Sequence, residues 1–158
     1  MNPNESSDAN TSDTLIKLPA GREEIMAVIP HRDPFLLVDG IESMTADRVV
    51  GFKDVREDEA YFKGHFPGNP VMPGVLICEA MAQTLGVLIL SQPAHRGKLG
   101  YFASMDKVKF RGIVRPGERI VMDTEKIREK KRYYYAKTRA TVNGKVVCEA
   151  EMMLFLAE

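Results

Sequence analysis

From Val75 to Leu90 nearly every position is apolar, interrupted only by Glu79, Gln83 and Thr84. That pattern predicts a helix buried on almost all sides rather than an amphipathic surface helix. Pro73 suits the first helical position, so the helix is expected over about Gly74–Leu90, with Gly86 a weak point or a site of close packing. After the loop 91–98 the period changes to two, which predicts strands over Gly100–Phe110, 119–128, 132–142 and Lys145–Leu156. Asn143-Gly144 between the last two is a type I′ hairpin signal, because both central residues must accept positive φ. In the last strand Val146, Cys148, Ala150, Met152 and Leu154 share one face, and the other face turns apolar toward Phe155, which points to a subunit contact.

Upstream of the long helix, 48–55 alternates as a strand and 58–73 reads as an irregular loop rich in Gly and Pro. A short helix over 22–29 is expected to stop at Pro30, with a turn at 30–34 and an apolar run at 35–38. Residues 1–14 are polar and cannot offset their ordering entropy, so a disordered tail is expected there, with one domain over 15–158. One buried helix plus a mostly antiparallel sheet makes an α+β domain in which the sheet wraps the helix.

The 158 residues, 44% of them hydrophobic, suffice for one full-sized core. Lys plus Arg equals Asp plus Glu, so no global field favours nucleic acid or an anionic membrane. The longest apolar run is broken by Glu79 and Gln83, and the N-terminus has no basic region followed by an apolar one, so a cytoplasmic location without membrane association is expected. Cys78 and Cys148 lack metal-like spacing and read as buried reduced thiols.

Glu79 is the only charged side chain of the long helix. Desolvation raises the pKa of such a carboxyl unless it is paired, and a titratable group so placed is a candidate for proton transfer. Gln83 shares its face at i+4, and Gly74 lies at the amino end, where free backbone amides and the helix dipole polarise a carbonyl oxygen. His65, between glycine and proline, takes up a proton near neutral pH. Base, carboxyl acid and backbone amide together suit removal of a proton beside a thioester carbonyl with loss of a β-hydroxyl. A surface histidine and a buried salt bridge are the rival readings of these residues.

Several motifs in order then carry a resemblance: Pro30-His31-Arg32-x-Pro34-Phe35-Leu36-Leu37-Val38-Asp39, Gly64-His65-Phe66-Pro67-Gly68-x-Pro70, Met72-Pro73-Gly74-Val75-Leu76, and Glu79-Ala80-Met81-Ala82-Gln83, followed by Phe102-Ala103, Asp106, Phe110 and Pro116-Gly117. Over residues 17–157 the chain resembles the β-hydroxyacyl-acyl-carrier-protein dehydratases of the FabZ type. The resemblance implies the hot-dog fold, a central helix wrapped by an antiparallel sheet, and dehydration of a (3R)-3-hydroxyacyl chain to the trans-2-enoyl thioester in type II fatty-acid biosynthesis.

By the same resemblance His65 and Glu79 are catalytic, the Gly74 amide is the oxyanion donor, Gln83 supports the site and Phe66 lines it. His31 is implied to be structural, and no cofactor or metal is needed. The family's site joins a histidine of one subunit to a glutamate of the other, which implies a homodimer and, commonly, a trimer of dimers. The implied partner is acyl carrier protein, acidic in this pathway, with Lys107, Lys109, Arg111 and Arg115, and Lys130, Lys131 and Arg132 at the next hairpin, as candidate docking residues. Tyr101, Phe102 and Met105 are candidate lining for an acyl tunnel between helix and sheet. Asp33, Gly40, Ser104 and Gly112-Ile113 depart from the family pattern and bear on tunnel shape. A hot-dog thioesterase, or a non-catalytic acyl-binding paralogue, is the alternative.

Overall fold

A computed structural model describes residues 16–158. The tail expected over 1–14, and Leu15, lie outside the described residues. Strands β1 (Gly40–Met44), β2 (Arg48–Asp54), β3 (Gly100–Phe110), β4 (Arg119–Lys130), β5 (Tyr133–Val142) and β6 (Lys145–Leu156) form one sheet in the order β1-β2-β4-β5-β6-β3. Every neighbouring pair is antiparallel. Helix α1 (Arg22–Met26) precedes the sheet, and α2 (Gly74–Leu90) packs against β2 through β6. The sheet thus wraps α2 in the hot-dog arrangement.

The packing follows from the two periods. Every residue of α2 from Ala80 to Leu90 is buried, and the strands meet it with alternate side chains: Ile120, Met122 and Thr124 of β4, Ala136, Thr138 and Ala140 of β5, and Cys148, Ala150, Met152 and Leu154 of β6. Each buried Leu or Ile contributes about 1.5–3 kcal/mol, which makes this interface the main source of stability. Small residues set the approach, since a Cβ on Gly51 would stand 3.3 Å from Thr84 Cγ2. The threonine hydroxyls at this interface are satisfied: Thr84 Oγ1 donates to the Ala80 carbonyl at 2.9 Å, and the Thr124 and Thr138 hydroxyls pair at 2.8 Å.

The helix α2 and the Asn143-Gly144 turn stand as the pattern predicts, the turn with φ of 49° and 78°, and Pro73 takes the N-cap, one position before the first helical residue. Helix α1 stops at Met26 rather than at 29, because the Arg32 guanidinium donates to the Met26 and Ile29 carbonyls at 3.0 Å each and caps the end. Strand β4 runs two residues further than expected, to Lys130, and β5 begins one residue later, at Tyr133. Strand β1 was not evident in the pattern; it is short, opens on a glycine and carries a bulge after Ile41. At Gly40 the Phe52 ring occupies the space of a Cβ, which accounts for one departure from the family pattern.

Three further features position or brace the site. Lys53, on β2, and Glu59, before the 3₁₀ turn Ala60–Lys63, form a buried ion pair at 2.9 Å. Cys78 of α2 and Cys148 of β6 are free and buried, as expected, and their sulfurs lie 3.9 Å apart. On the outer sheet face a broad groove of about 560 Å³ is lined by charges whose sign alternates from strand to strand: Arg48 on β2, Asp123 and Glu125 on β4, Lys137 and Arg139 on β5, Glu149 and Glu151 on β6, Lys107 and Lys109 on β3.

Candidate active site

The His65 loop is built on the 3₁₀ turn Ala60–Lys63, whose Tyr61 carbonyl accepts from the amides of Gly64 and His65. Phe66 and Asn69 exchange backbone hydrogen bonds at 3.1 and 2.9 Å, closing a tight turn, and the Val71 amide returns to the His65 carbonyl at 3.0 Å. The imidazole Nδ1 lies 2.6 Å from the Val71 carbonyl oxygen. A carbonyl only accepts, so Nδ1 carries the proton and Nε2 keeps a free lone pair. The Phe66 ring stacks on the imidazole at 4.0 Å between centroids.

Glu79 is paired rather than isolated in the core. The Gln83 amide nitrogen donates to Glu79 Oε1 at 3.0 Å and to the Phe35 carbonyl at 2.8 Å, while Gln83 Oε1 accepts the Leu37 amide at 2.7 Å. These three bonds fix which end of the amide faces Glu79. They also stitch segment 35–37 to α2, which brings His31 Nε2 to 3.6 Å from Glu79 Oε1. The Glu79 side chain is 20% exposed and lines a small cleft of about 50 Å³ with His31, Ala82, Gln83, Gly86 and Phe102 among others.

At the amino end of α2, Gly74 and Val75 donate to no acceptor among the described residues, so their amides and the helix dipole are free for an oxyanion. Glycine is required at 74 because a Cβ would stand 2.7 Å from the Phe110 ring. Around this point Phe66, Val75, Phe110 and Ile113 are exposed, as are Tyr101, Phe102 and Met105 along β3, which ends the sheet on an unpaired edge. Among the described residues no hydrogen bond or ion pair joins His65 to Glu79, and His65 does not line the cleft beside Glu79.

The candidate docking residues fall into two groups. Lys107 approaches Glu151 at 3.7 Å, Arg111 holds Glu149 at 2.7 Å and depresses its carboxyl pKa, and Arg115 donates to Asn69 of the His65 loop at 3.0 Å. Lys130 and Lys131 sit at the β4–β5 turn, and Arg132 pairs with Glu158 at 2.6 Å. Phe110 faces Cys148 whereas Tyr133 faces Phe155, so the groups stand roughly 23 Å apart at about 3.3 Å per residue. Of the three candidate tunnel residues, Phe102 lines the cleft at Glu79, and Tyr101 and Met105 do not. His95 is structural: its Nδ1–H donates to the Ile89 carbonyl at 2.6 Å and its Nε2 faces the Tyr134 hydroxyl at 3.0 Å.

Two relationships lay beyond sequence reasoning: the Gln83 clamp on 35–37 and the contact of His31 with Glu79. Their only sequence signal is Arg32, whose guanidinium fixes the turn that carries His31.

A family model described as a FabA-like domain matches residues 29–151. The 3-hydroxyacyl-[acyl-carrier-protein] dehydratase FabZ of Chloroflexus aggregans is 48% identical over 137 residues, covering 86% of this chain and 95% of that protein. The protein of the same name from Caldicellulosiruptor saccharolyticus is 51% identical over 130 residues, covering 82% and 93%. Among solved structures, the dehydratase heterocomplex ApeI:P from Xenorhabdus doucetiae superimposes with a TM-score of 0.76 at 16% identity, over 90% of this chain and 93% of that one. A hypothetical thioesterase with coenzyme A from Streptococcus pneumoniae reaches 0.59 at 18% identity, over 74% and 84%. The last two likenesses concern the fold alone.

Proposed function

Because the chain belongs to the family of FabA-like domains, we propose that it dehydrates (3R)-3-hydroxyacyl chains on acyl carrier protein to trans-2-enoyl thioesters, with His65 as base and Glu79 as acid. The observation that carries the assignment is the 48% and 51% identity, over most of the chain, to the two dehydratases named above; the 2.6 Å bond from His65 Nδ1–H to the Val71 carbonyl leaves Nε2 as a fixed proton acceptor. His65 Nε2 takes the C2 proton while the Gly74 amide holds the thioester oxygen as charge gathers there. The electron pair left at C2 forms the double bond as the C3–O bond breaks, and Glu79 gives its proton to the departing hydroxyl, which leaves as water. General acid–base help contributes about 10² to 10⁴ in rate, and an oxyanion donor about 10² to 10³. The proton balance closes without a cofactor.

The separation of His65 from Glu79 within one chain supports a site shared between two copies. The exposed apolar residues near Gly74 and the unpaired β3 edge supply a surface for a second copy, and a trimer of such dimers is the assembly the reading favours. Carrier protein docks on the basic group Lys107, Lys109, Arg111 and Arg115, of which Arg115 touches Asn69 of the His65 loop. No helix among the described residues is long and apolar enough to cross a membrane; the cytoplasm is the compartment of this reading, in keeping with two free thiols.

The deciding assay mixes the protein with a 3-hydroxyacyl thioester and follows the ultraviolet absorbance of the conjugated product beside free-thiol release. Enoyl formation without thiol release is the expected result. Thiol release alone would instead identify a hot-dog thioesterase, and neither signal would leave an acyl-binding subunit.

A further inference from the structure

The two oxygens of Glu79 stand in different surroundings: Oε1 accepts from Gln83 and is the one that His31 approaches. Gln83 is locked by the Leu37 amide and the Phe35 carbonyl, so it always presents an N–H to Oε1. His31 Nε2 approaches the same oxygen at 3.6 Å. The other ring nitrogen, Nδ1, is buried with no partner among the described residues. A proton on Nδ1 would leave a buried donor unsatisfied, so the tautomer with the proton on Nε2, aimed at Glu79, is favoured. The ring is anchored from behind, where Arg32 donates to the Met26, Ile29 and His31 carbonyls.

The charged groups around His31 are few. Glu79 faces it from α2 and Arg32 from its own turn, while Phe102 of β3 and Leu154 of β6 close the cleft with apolar surface. Burial, aided by Arg32 and opposed by Glu79, holds the imidazole below its ordinary pKa, so it is neutral at pH 7 and donates without competing for the proton of the acid.

We propose that His31 is a positioning residue for the dehydration: its Nε2–H and the Gln83 amide together hold Glu79 Oε1, which leaves the proton to be delivered on Oε2, toward the cleft. The 3.6 Å approach is longer than a hydrogen bond, and such contacts tighten when substrate closes a site. The inference rests on the reaction proposed above, and it assigns a chemical task to a histidine whose motif reads as structural.

The test compares His31→Gln, which keeps a nitrogen donor near the Nε2 position, with His31→Leu and His31→Asn, which do not. Against a 3-hydroxybutyryl thioester, His31→Leu and His31→Asn should lose about tenfold or more in kcat with KM changed less than about twofold, since a misplaced catalytic group costs up to about 10². His31→Gln should recover most of the loss. In a Glu79→Gln background, His31→Leu should add no further loss, because the residue acts only through that carboxylate. Equal losses for the Gln and Asn variants, or full additivity with Glu79→Gln, would overturn the proposal. Should His31→Leu fail to fold, the Gln and Asn pair still decides.

A second readout is independent of turnover. In ¹⁵N-labelled protein His31 should show the neutral Nε2–H tautomer at pH 7, with an Nε2 resonance that moves in Glu79→Gln. An Nδ1–H tautomer, or no response to Glu79→Gln, would refute the assignment even if the protein proved to catalyse a different reaction. A wild-type protein inactive on the thioester, with the NMR signature intact, would remove the reaction and leave the His31–Glu79 coupling standing.

Discussion

Gln83 donates to Glu79 from one end of its side-chain amide and accepts the Leu37 amide at the other, at 3.0 and 2.7 Å. One buried residue therefore both holds the carboxylate and fastens the segment 35–37 to the central helix. Gln83→Leu should destabilise the protein by about 1–3 kcal/mol, because it strands the buried Leu37 N–H, while the Phe35 carbonyl is open enough to find water. Chemical denaturation measures this, and kcat should fall alongside. A stability loss below 1 kcal/mol would mean that segment 35–37 finds other partners.

In the proposed reaction His65 holds its loop through Nδ1 and takes a proton at Nε2, and its tautomer separates the two. His65→Asn should keep a donor to the Val71 carbonyl but has no base at the Nε2 position, so its melting temperature should stay close to wild type while kcat drops by about 10² to 10⁴. His65→Ala should lose activity equally and some loop order as well. Appreciable turnover by His65→Asn would assign the base to another residue.

If the site joins two chains, His65→Ala and Glu79→Gln homodimers are each nearly inactive, yet mixing them restores function. In a heterodimer one site receives both intact groups and the other receives neither, so random reassortment gives roughly a quarter of wild-type activity by two-fold symmetry. The variants must be unfolded and refolded together or co-expressed, with differential tags to confirm heterodimers. Activity no higher than the separate variants would place both groups in one chain.

The buried Lys53–Glu59 pair braces the turn that leads into the His65 loop. Lys53→Met should cost up to about 3–5 kcal/mol by leaving a buried carboxylate with only the longer contacts to the Arg56 guanidinium and amide, at 3.8 and 3.4 Å. Adding Glu59→Met should return part of that loss, which equilibrium unfolding of the three variants would show. A double variant no better than the single one would indicate that packing, rather than charge pairing, sets the cost.

Docking predictions change once the basic residues are seen as two groups. Lys109→Glu, on β3 in the group that includes Arg115, should raise KM for carrier-linked substrate and leave a short thioester mimic unaffected, and the effect should shrink at high salt. Lys131→Glu, at the far hairpin, should do neither. The opposite ranking would move the docking surface to the β4–β5 turn.

Local chemistry explains what the sequence made legible. Helix α2 and the Asn143-Gly144 turn depend on near-neighbour residues, so composition and period reveal them. Strand β1 depends on a partner strand and on the fit of Phe52 against Gly40, information that no window of adjacent residues carries. The same holds at the site. His65 and Glu79 stand out because their motifs are contiguous, whereas the Gln83 clamp and the approach of His31 join residues about fifty positions apart. Cys78 and Cys148 were separately legible as buried thiols, but their 3.9 Å approach exists only once α2 lies on β6.

The alternating charges on the outer sheet face bear on how the chain finds its strand order. The register sets Glu125 opposite both Arg48 and Lys137, Arg139 opposite both Asp123 and Glu149, and Lys109 opposite Glu149. Hydrophobic alternation makes β2, β4, β5 and β6 acceptable neighbours for one another, since each offers buried side chains to the helix, whereas β3 has none. Sign does discriminate: β3 beside β5 would set lysine against lysine and arginine, and β4 beside β6 would set carboxylate against carboxylate, pairings that cost rather than stabilise. The outer face of the observed strand order thus sets opposite charges side by side where those alternative orders would set like charges together.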